Sequence, residues 1–539
     1  MTNTDRINEL FEPWQRGLCP GGQVYVAHKG EPVFNRCYGY ADLEHNAKIN
    51  ENTVLHVASV SKQFTSMCAL ILHENGKLSI DNDIRTYIPD LVNFDEPVTV
   101  RDMLNNISGI RDQWELQILS GVRMSDTITQ SDLLTLVARQ RSLNFPPRSK
   151  YLYSNSNFSL VSEIIKRVSG VPLNSFAMKN IFKPMGMSST FFRERYDQII
   201  PNRAMSYIDC WNETYLWKPL NFSNEGATSL HTTAADLIKW LKIFREPTVC
   251  STGTLETMLT IPKLTTDGIT TYGCGVAVRS HGTGDNARRT VSHDGADEGY
   301  RSAALTIPEA ELDIVICANV ENIVLGKTAI KIADIMLGIE DDTGISTFNE
   351  KYYTPETWDA GSHCGSYLMK EGGGAIDLVK ENDNSYLVIE DKKALLKYNS
   401  GNCYDAVNSI FKLYKNEAGM FLSAGKDMDI TLLSKTTPQF SDLELADMPG
   451  IYYCAETESH FEIINETGTL KMRHKRFGTE PIYSLGEDMY ACPLEFSVKF
   501  KIVKNSAGKV TELELTSGRI TAISFRKTTF QYLESTTPP

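Results

Sequence analysis

The 539-residue chain predicts an α+β domain over residues 1–345, followed by two small antiparallel β-barrel domains at 346–440 and 441–539. Three observations lead there. Strand-like segments stand at both ends of the first domain with helical periodicity between them. That periodicity disappears after about residue 340. Two strand-rich runs then begin alike, Gly365-Ser366-Tyr367-Leu368 and Gly450-Ile451-Tyr452-Tyr453, 85 residues apart, which suggests two related units.

Taken in order, residues 21–42 alternate apolar and polar side chains on either side of Lys29-Gly30, the pattern of a β-hairpin. From Ser59 to Asn75 the apolar residues Phe64, Met67, Cys68, Ile71 and Leu72 recur at helical spacing, and Asn75-Gly76 supplies the stop. Residues 98–245 read as mostly helical, with clear cases at 155–168 and 233–244. Strand character returns at 271–279 and at 300–320, broken near Pro308, and residues 324–337 form a last amphipathic helix. Such a chain is expected to build one sheet from its two ends and to pack the helices against it. Beyond residue 345, short β-rich runs punctuated by Gly, Asn and Asp suit small barrels or sandwiches.

Charge and composition exclude several function classes. Lys and Arg number 54 against 67 Asp and Glu, a net charge of −13, so no positive field gathers phosphate backbones or anionic lipid. Neither nucleic acid nor a membrane is expected as a partner. No segment approaches the roughly 18 apolar residues of a spanning helix, and MTNTDRINELFEPWQRG lacks the apolar run of a secretory leader. Eleven cysteines, an odd number without a CxxC pair, read as reduced thiols of a cytoplasmic protein rather than a disulfide framework or zinc site. No metal and no cofactor are expected, since HExxH, a dinucleotide fingerprint and a P-loop are all missing, as is the G-x-S-x-G elbow of α/β-hydrolases.

Serine followed three residues later by lysine occurs at Ser59-Lys62, Ser409-Lys412, Ser423-Lys426, Ser506-Lys509 and Ser524-Lys527. Only Ser59 stands at the start of a predicted helix, where residues i and i+3 share a face and free backbone N–H groups stabilise an oxyanion. Taken alone, the pair fits a helix N-cap beside a solvated lysine equally well. Two further motifs follow it in order, Tyr153-Ser154-Asn155 and His293-Asp294-Gly295.

With Ser59-Val60-Ser61-Lys62 before them, these motifs resemble in order and spacing the signatures of the penicillin-recognising serine hydrolases, the class C β-lactamase and DD-peptidase fold group. NNISGIRD (105–112), FPPRSKYLYSNSNFSLVSEIIKRVSGVPL (145–173), IFKPMGMSSTFF (181–192), GATSLHTTAADLIKW (226–240), YGCGV (272–276) and HDGADEGYRS (293–302) extend the likeness over about residues 10–340. The resemblance implies a five-stranded antiparallel sheet packed by helices. It implies Ser59 as the acylated nucleophile, Lys62 and Tyr153 as its acid-base partners, and Asn155 as a hydrogen-bonding partner of the substrate or of Lys62. The backbone N–H groups of Ser59 and of Ala296, just past Gly295, are the implied oxyanion hole. Whether Lys62 or Tyr153 is the base stays open, because a lysine serves only if desolvation holds it neutral or if it acts through the tyrosine.

By the same resemblance His293 counts with Ser59, Lys62 and Tyr153 among the implied catalytic residues and Gly295 among the substrate-binding ones, but His293 stands where most relatives carry the lysine of a Lys-Thr-Gly motif. A mostly neutral imidazole is a weak carboxylate anchor, which turns the expectation from β-lactams toward esters, amides or aminopeptidase substrates. Asn106 likewise stands where many relatives place a histidine. Within the group the chain more closely resembles the D-aminopeptidase branch, whose members add two β-barrels and send a loop of the last one into the catalytic cleft. By that likeness HKRFGTEPIYSLGED (474–488) is the candidate loop, an ordinary solvated hairpin loop being the other reading. Glu480, or else Asp297, is the candidate carboxylate for a substrate ammonium. The implied partner is a small-molecule or short-peptide substrate, with a homodimer as an option. The rival functions are a cytoplasmic esterase, L-peptide or β-lactam hydrolase of the same fold, and a non-catalytic penicillin-binding-like sensor.

Overall fold

The computed structural model describes residues 1–210, 214–282, 287–339 and 360–369. It further describes 375–434 apart from breaks at 383, 390–391, 400–402, 407–411, 417–418 and 424–428, and 440–528 apart from 487 and 495. The chain divides into two compact units, Met1–Gln113 with Met124–Ser346 and Trp114–Arg123 with Thr347–Pro539.

In the first unit one antiparallel sheet runs in the order Ala277–His281, Arg288–Asp297, Tyr300–Ile307, Leu312–Ala318, Gly22–His28, Glu31–Tyr38. Strands from the two ends of the first domain's sequence meet directly in it, Gly22 lying opposite Ala318 and His28 opposite Leu312. The sheet has six strands rather than the implied five. The strand that sequence patterning misses, Arg288–Asp297, carries charges at its start and His293, Asp294 and Gly295 near its end, residue types that β-propensity penalises unless burial overrides it.

Alternation along Leu312–Ala318 separates two cores, since every residue of that strand is buried. Ile314 and Ile316 pack with Ile7, Trp14 and Ile332 on one face, whereas Val315 and Cys317 face Phe64, Leu237 and Trp240 on the other. At the centre of that second layer stands the Ser61–Glu74 helix, buried from Ser61 through Leu72. Its polar first turns are satisfied inside the core, Trp240 Nε1 donating to Gln63 Oε1 (2.5 Å) and Thr65 Oγ1 to the Gly226 carbonyl (2.8 Å). Residues 98–245 are more broken than their periodicity predicts: Val100–Leu104, Gln130–Ala138, Asn155–Ser169 and Ala234–Leu241 are helices, interrupted by short strands such as Tyr207–Asp209 and Leu230–Thr232.

In the second unit eight strands, from Gly365–Met369 to Asp429–Ser434, form a meander whose first and last members pair and close a barrel. Nine more, from Gly450–Cys454 to Ile520–Thr528, repeat the scheme with first and last again paired. This second sheet stays open along one seam, because its edges are the consecutive strands Gly478–Pro481 and Tyr483–Gly486. Gly365 and Gly450 adopt φ of 152° and 151°, a region essentially reserved for glycine, which gives the 85-residue repeat a backbone meaning.

Two features depart from the sequence reading. Residues 474–488 are not a hairpin loop: they carry both seam strands, and their Gly and Pro residues mark sheet edges, where such residues are tolerated. Trp114–Arg123, interior to the first predicted domain, groups with the second unit. There Arg519 Nε bonds Glu115 Oε1 (2.9 Å), and Ser459 Oγ donates to the Leu119 carbonyl (2.6 Å). All eleven cysteines are free thiols, and among the described residues no helix is long and apolar enough to cross a membrane.

Candidate active site

Ser59 lies in a 3₁₀ turn, Ala58–Val60, that leads into the Ser61–Glu74 helix. It is half-buried, while Val57, Ala58, Val60 and Ser61 around it are buried. The helix N-cap is Val60, with no capping side chain, so Ser59 does not serve as the cap. Ala58 has φ 45°, the left-handed region that costs an alanine about 1 kcal/mol or more and persists only where neighbours over-determine it. Here they do. Val57 N–H donates to the Leu230 carbonyl (3.0 Å), Ser302 Oγ to the Val57 carbonyl (2.8 Å) and Ser61 Oγ to the Ala58 carbonyl (2.5 Å). Gly295 permits the approach of the neighbouring strand, since a Cβ there would stand 2.3 Å from the Val57 oxygen.

One turn on, Lys62 is 0% exposed. Its Nζ lies 2.6 Å from the Ala227 carbonyl, 2.8 Å from Asn155 Oδ1 and 3.1 Å from Ser59 Oγ. The first two partners only accept, so Nζ spends two hydrogens on them in either protonation state. Its third position faces a hydroxyl that both donates and accepts. An ammonium donates to Ser59 Oγ; a neutral amine aims its lone pair there, the geometry required of a base. Nζ also stands 4.8 Å from the centroid of the half-buried Tyr153 ring.

The Tyr153-Ser154-Asn155 motif is held by two residues to which sequence reasoning assigned no role. Asp112 Oδ2 accepts from both the backbone N–H (2.6 Å) and Nδ2 (2.9 Å) of Asn155. With its amide nitrogen turned to the carboxylate, Asn155 must present Oδ1 to Lys62. Asn106, itself at φ 56°, accepts at Oδ1 from Ser154 N–H (3.1 Å) and Asn157 Nδ2 (2.9 Å) and so pins the turn that carries Tyr153. Asp112 lies in the family-like phrase 105–112, the one signal that pointed to it.

His293 is buried beside Tyr153, ring centroids 6.1 Å apart. Its Nδ1 lies 2.7 Å from the Asp294 carbonyl, which only accepts, so Nδ1 carries the hydrogen and Nε2 accepts from the Tyr272 hydroxyl at 2.8 Å. Burial, reinforced by the positive charge that Lys62 carries when protonated, pushes the imidazole from its ordinary 6.5 down to about 3. Burial also raises the Tyr272 phenol well above 10, which keeps it a donor. His293 therefore offers neither a cation to a carboxylate nor a free nitrogen for proton transfer. Tyr272 was missed by sequence reasoning, though its phrase 272–276 was noted. Gly275 presses that turn onto the Ser61–Glu74 helix, where a Cβ would stand 2.6 Å from the Lys62 carbonyl.

This pair has a measurable consequence. Between pH 6.5 and about 3 the unfolded chain binds a proton at His293 that the native state refuses. The resulting stability is complete above pH 6.5 and is lost as pH falls toward 3, by about 3 kcal/mol at pH 4.5. Calorimetric Tm between pH 7 and 4.5 should therefore fall less steeply in His293→Gln than in wild type; equal slopes would show that the imidazole is not held neutral.

Arg288–Asp297 outruns its neighbour, whose register ends with Ala277 opposite Ser292. Among the described residues, the stretch from His293 to Asp297 is paired on one side only, with Ala304 to Tyr300. Ala296 is exposed on this free edge, one residue past the Gly295 contact with the Ser59 turn. Asp297 is engaged: its Oδ2 lies 2.8 Å from His56 Nε2 and accepts from Thr228 Oγ1. Glu480 belongs to the second unit, on the Gly478–Pro481 strand opposite Met472. In the first unit the structure thus brings together Ser59, Lys62, Asn155, Tyr153 and His293.

A half-exposed serine on a strained turn, with a fully buried lysine aimed at its oxygen, suits attack on a carbonyl and transient acylation; fold and site together define a serine hydrolase. The family model for Beta-lactamase matches residues 7–330, and the chain belongs to the beta-lactamase family. A D-aminopeptidase of Brucella anthropi is 24% identical over 524 residues, covering 94% of this chain and 95% of that protein. A D-aminopeptidase of Cereibacter sphaeroides is 29% identical over 330 residues, 59% of each chain. Among solved structures, an octameric penicillin-binding protein homologue from Pyrococcus abyssi shares the fold with a TM-score of 0.58 and 19% identity, covering 88% of this chain and 98% of that one.

Proposed function

We propose that the protein is a D-aminopeptidase that releases N-terminal D-amino acids from small amides, peptides or esters through an acyl-enzyme on Ser59. Ser59 Oγ adds to the carbonyl while its proton passes to Lys62 or Tyr153, and the backbone N–H groups of Ser59 and Ala296 receive the oxyanion. The protonated partner then gives the proton to the departing amine. Water repeats the sequence on the ester, returning Ser59 and the free acid.

The observation that carries this reading is the neutral, doubly hydrogen-bonded His293 in the place of a cation. A site without that cation has little to hold the carboxylate of a β-lactam or of a peptide C-terminus, whereas a substrate with a free amine needs none. The similarity to the Brucella anthropi D-aminopeptidase, which extends through both β-rich sheets, supports the same choice. Glu480 stays the proposed ammonium partner. A cytoplasmic location and assembly as a homodimer belong to the proposal, self-association being consistent with the octameric penicillin-binding protein homologue.

The test is kcat/KM on D- and L-alanyl p-nitroanilides, the N-acetylated D-form, p-nitrophenyl esters and a chromogenic β-lactam. The free-amine D-substrate should lead, N-acetylation should cost about 10- to 150-fold, the worth of one charge-assisted contact, and Glu480→Gln should narrow that gap. Equal turnover of blocked and free substrates would hand the assignment to the esterase reading.

A further inference from the structure

We infer that Asp297 is a positioning residue that sets the oxyanion hole, clasping together the three segments that carry the catalytic groups; the inference rests on Ser59 acting by acyl transfer. One carboxylate oxygen makes the clasp. Asp297 Oδ2 accepts from His56 Nε2 at 2.8 Å and from Thr228 Oγ1, and those two donors are themselves 3.0 Å apart. His56 is 1% exposed and Thr228 2%, while the Asp297 side chain keeps 14%. The His56 ring is packed against His231 (5.1 Å), Tyr300 (5.4 Å) and Phe222 (6.5 Å between centroids).

The positions of the three partners in the chain give the clasp its meaning. His56 precedes Val57 and the strained Ala58, so it anchors the turn that offers the Ser59 N–H. Asp297 directly follows Ala296, the other proposed donor, on a strand end that lacks a partner on its second side among the described residues. Thr228 directly follows Ala227, whose carbonyl holds Lys62. The spacing of the two N–H donors is therefore fixed across a contact between residues distant in sequence. Oxyanion stabilisation depends steeply on that spacing, because donors act only when aimed at the developing charge. This role replaces the expectation that Asp297 meets the substrate ammonium.

The experiment uses the full-length protein with reactive Ser59 counted by burst titration. Asp297→Asn, Thr228→Val and Thr228→Ser are compared on p-nitrophenyl acetate, which has no amine, and on D-alanyl p-nitroanilide. The affinity of an alkyl boronic acid, which forms a tetrahedral adduct with a serine hydroxyl, is measured alongside. In Asp297→Asn and Thr228→Val, kcat per reactive site should fall about 10- to 100-fold on both substrates, somewhat less than loss of a whole oxyanion donor. KM should stay within about 3-fold and boronate affinity should drop by the same factor as kcat, while Thr228→Ser, which keeps the hydroxyl, stays within about 3-fold of wild type. A loss confined to the free-amine substrate and expressed in KM would make Asp297 an ammonium anchor and overturn the inference. Unchanged kcat and boronate affinity with a lowered Tm would make the clasp merely structural and overturn it too. Thr228→Val decides the matter if Asp297→Asn does not fold. Failure of wild type itself to bind boronate or turn over the ester would instead refute the Ser59 reading.

Discussion

Ser59→Ala should abolish the single covalent adduct that a slowly deacylated ester or a phosphonate leaves on the wild-type protein, and should lower kcat by about 10⁴-fold or more. Intact-protein mass spectrometry reads the first effect directly. The expectation is this strong because Lys62 is withdrawn from water and aimed at a half-exposed hydroxyl on a strained turn, an arrangement that no other Ser-x-x-Lys pair shows among the described residues. An adduct that survives the substitution, or that maps to Ser423 or Ser506, would refute the assignment. The substitution removes one oxygen and leaves the surrounding hydrogen bonds of Val57, Ala58 and Ser61 in place, so Tm should be nearly unchanged.

Lys62 and Tyr153 should behave as one unit. Lys62→Met and Tyr153→Phe should each cost about 10³-fold in kcat, and the double variant little more than the worse single one, because residues on one proton path are strongly non-additive. The two effects on stability should differ. Removing the lysine orphans the Asn155 Oδ1 and Ala227 acceptors inside the core, at about 1–3 kcal/mol, whereas the half-buried tyrosine loses only its hydroxyl. Full additivity of the kcat losses would show that one of the two serves the structure alone.

The site shows where sequence reading stops. Ser59 and Lys62 were legible because a helical i, i+3 relation is local: covalent spacing alone puts both on one face. Tyr153-Ser154-Asn155 and His293-Asp294-Gly295 were legible as motifs, yet their roles were not, because each role depends on a distant partner. Asn155 is turned toward Lys62 by Asp112, 43 residues away, and His293 is saturated by Tyr272, 21 residues away. Neither partner stands out in sequence, where a buried aspartate and a buried tyrosine look like any others. Residues 474–488 misled for a related reason, since Gly and Pro mark the edges of a sheet as readily as the tip of a loop.

By itself, then, the sequence determined that strands from both ends of the first domain meet in one sheet with helices between them, the change of texture near residue 340 and the repeated β-rich units. All of these follow from periodicity and short-range spacing. Only the tertiary structure decided that His293 is a neutral acceptor, that Asn155 faces Lys62 through its oxygen, and that Asp297 is held by His56 and Thr228. Protonation state, amide orientation and donor placement are set by which groups lie within 3 Å after folding. His56 and Asp297, 241 residues apart in sequence, acquire that relation only when the sheet closes on the nucleophile turn.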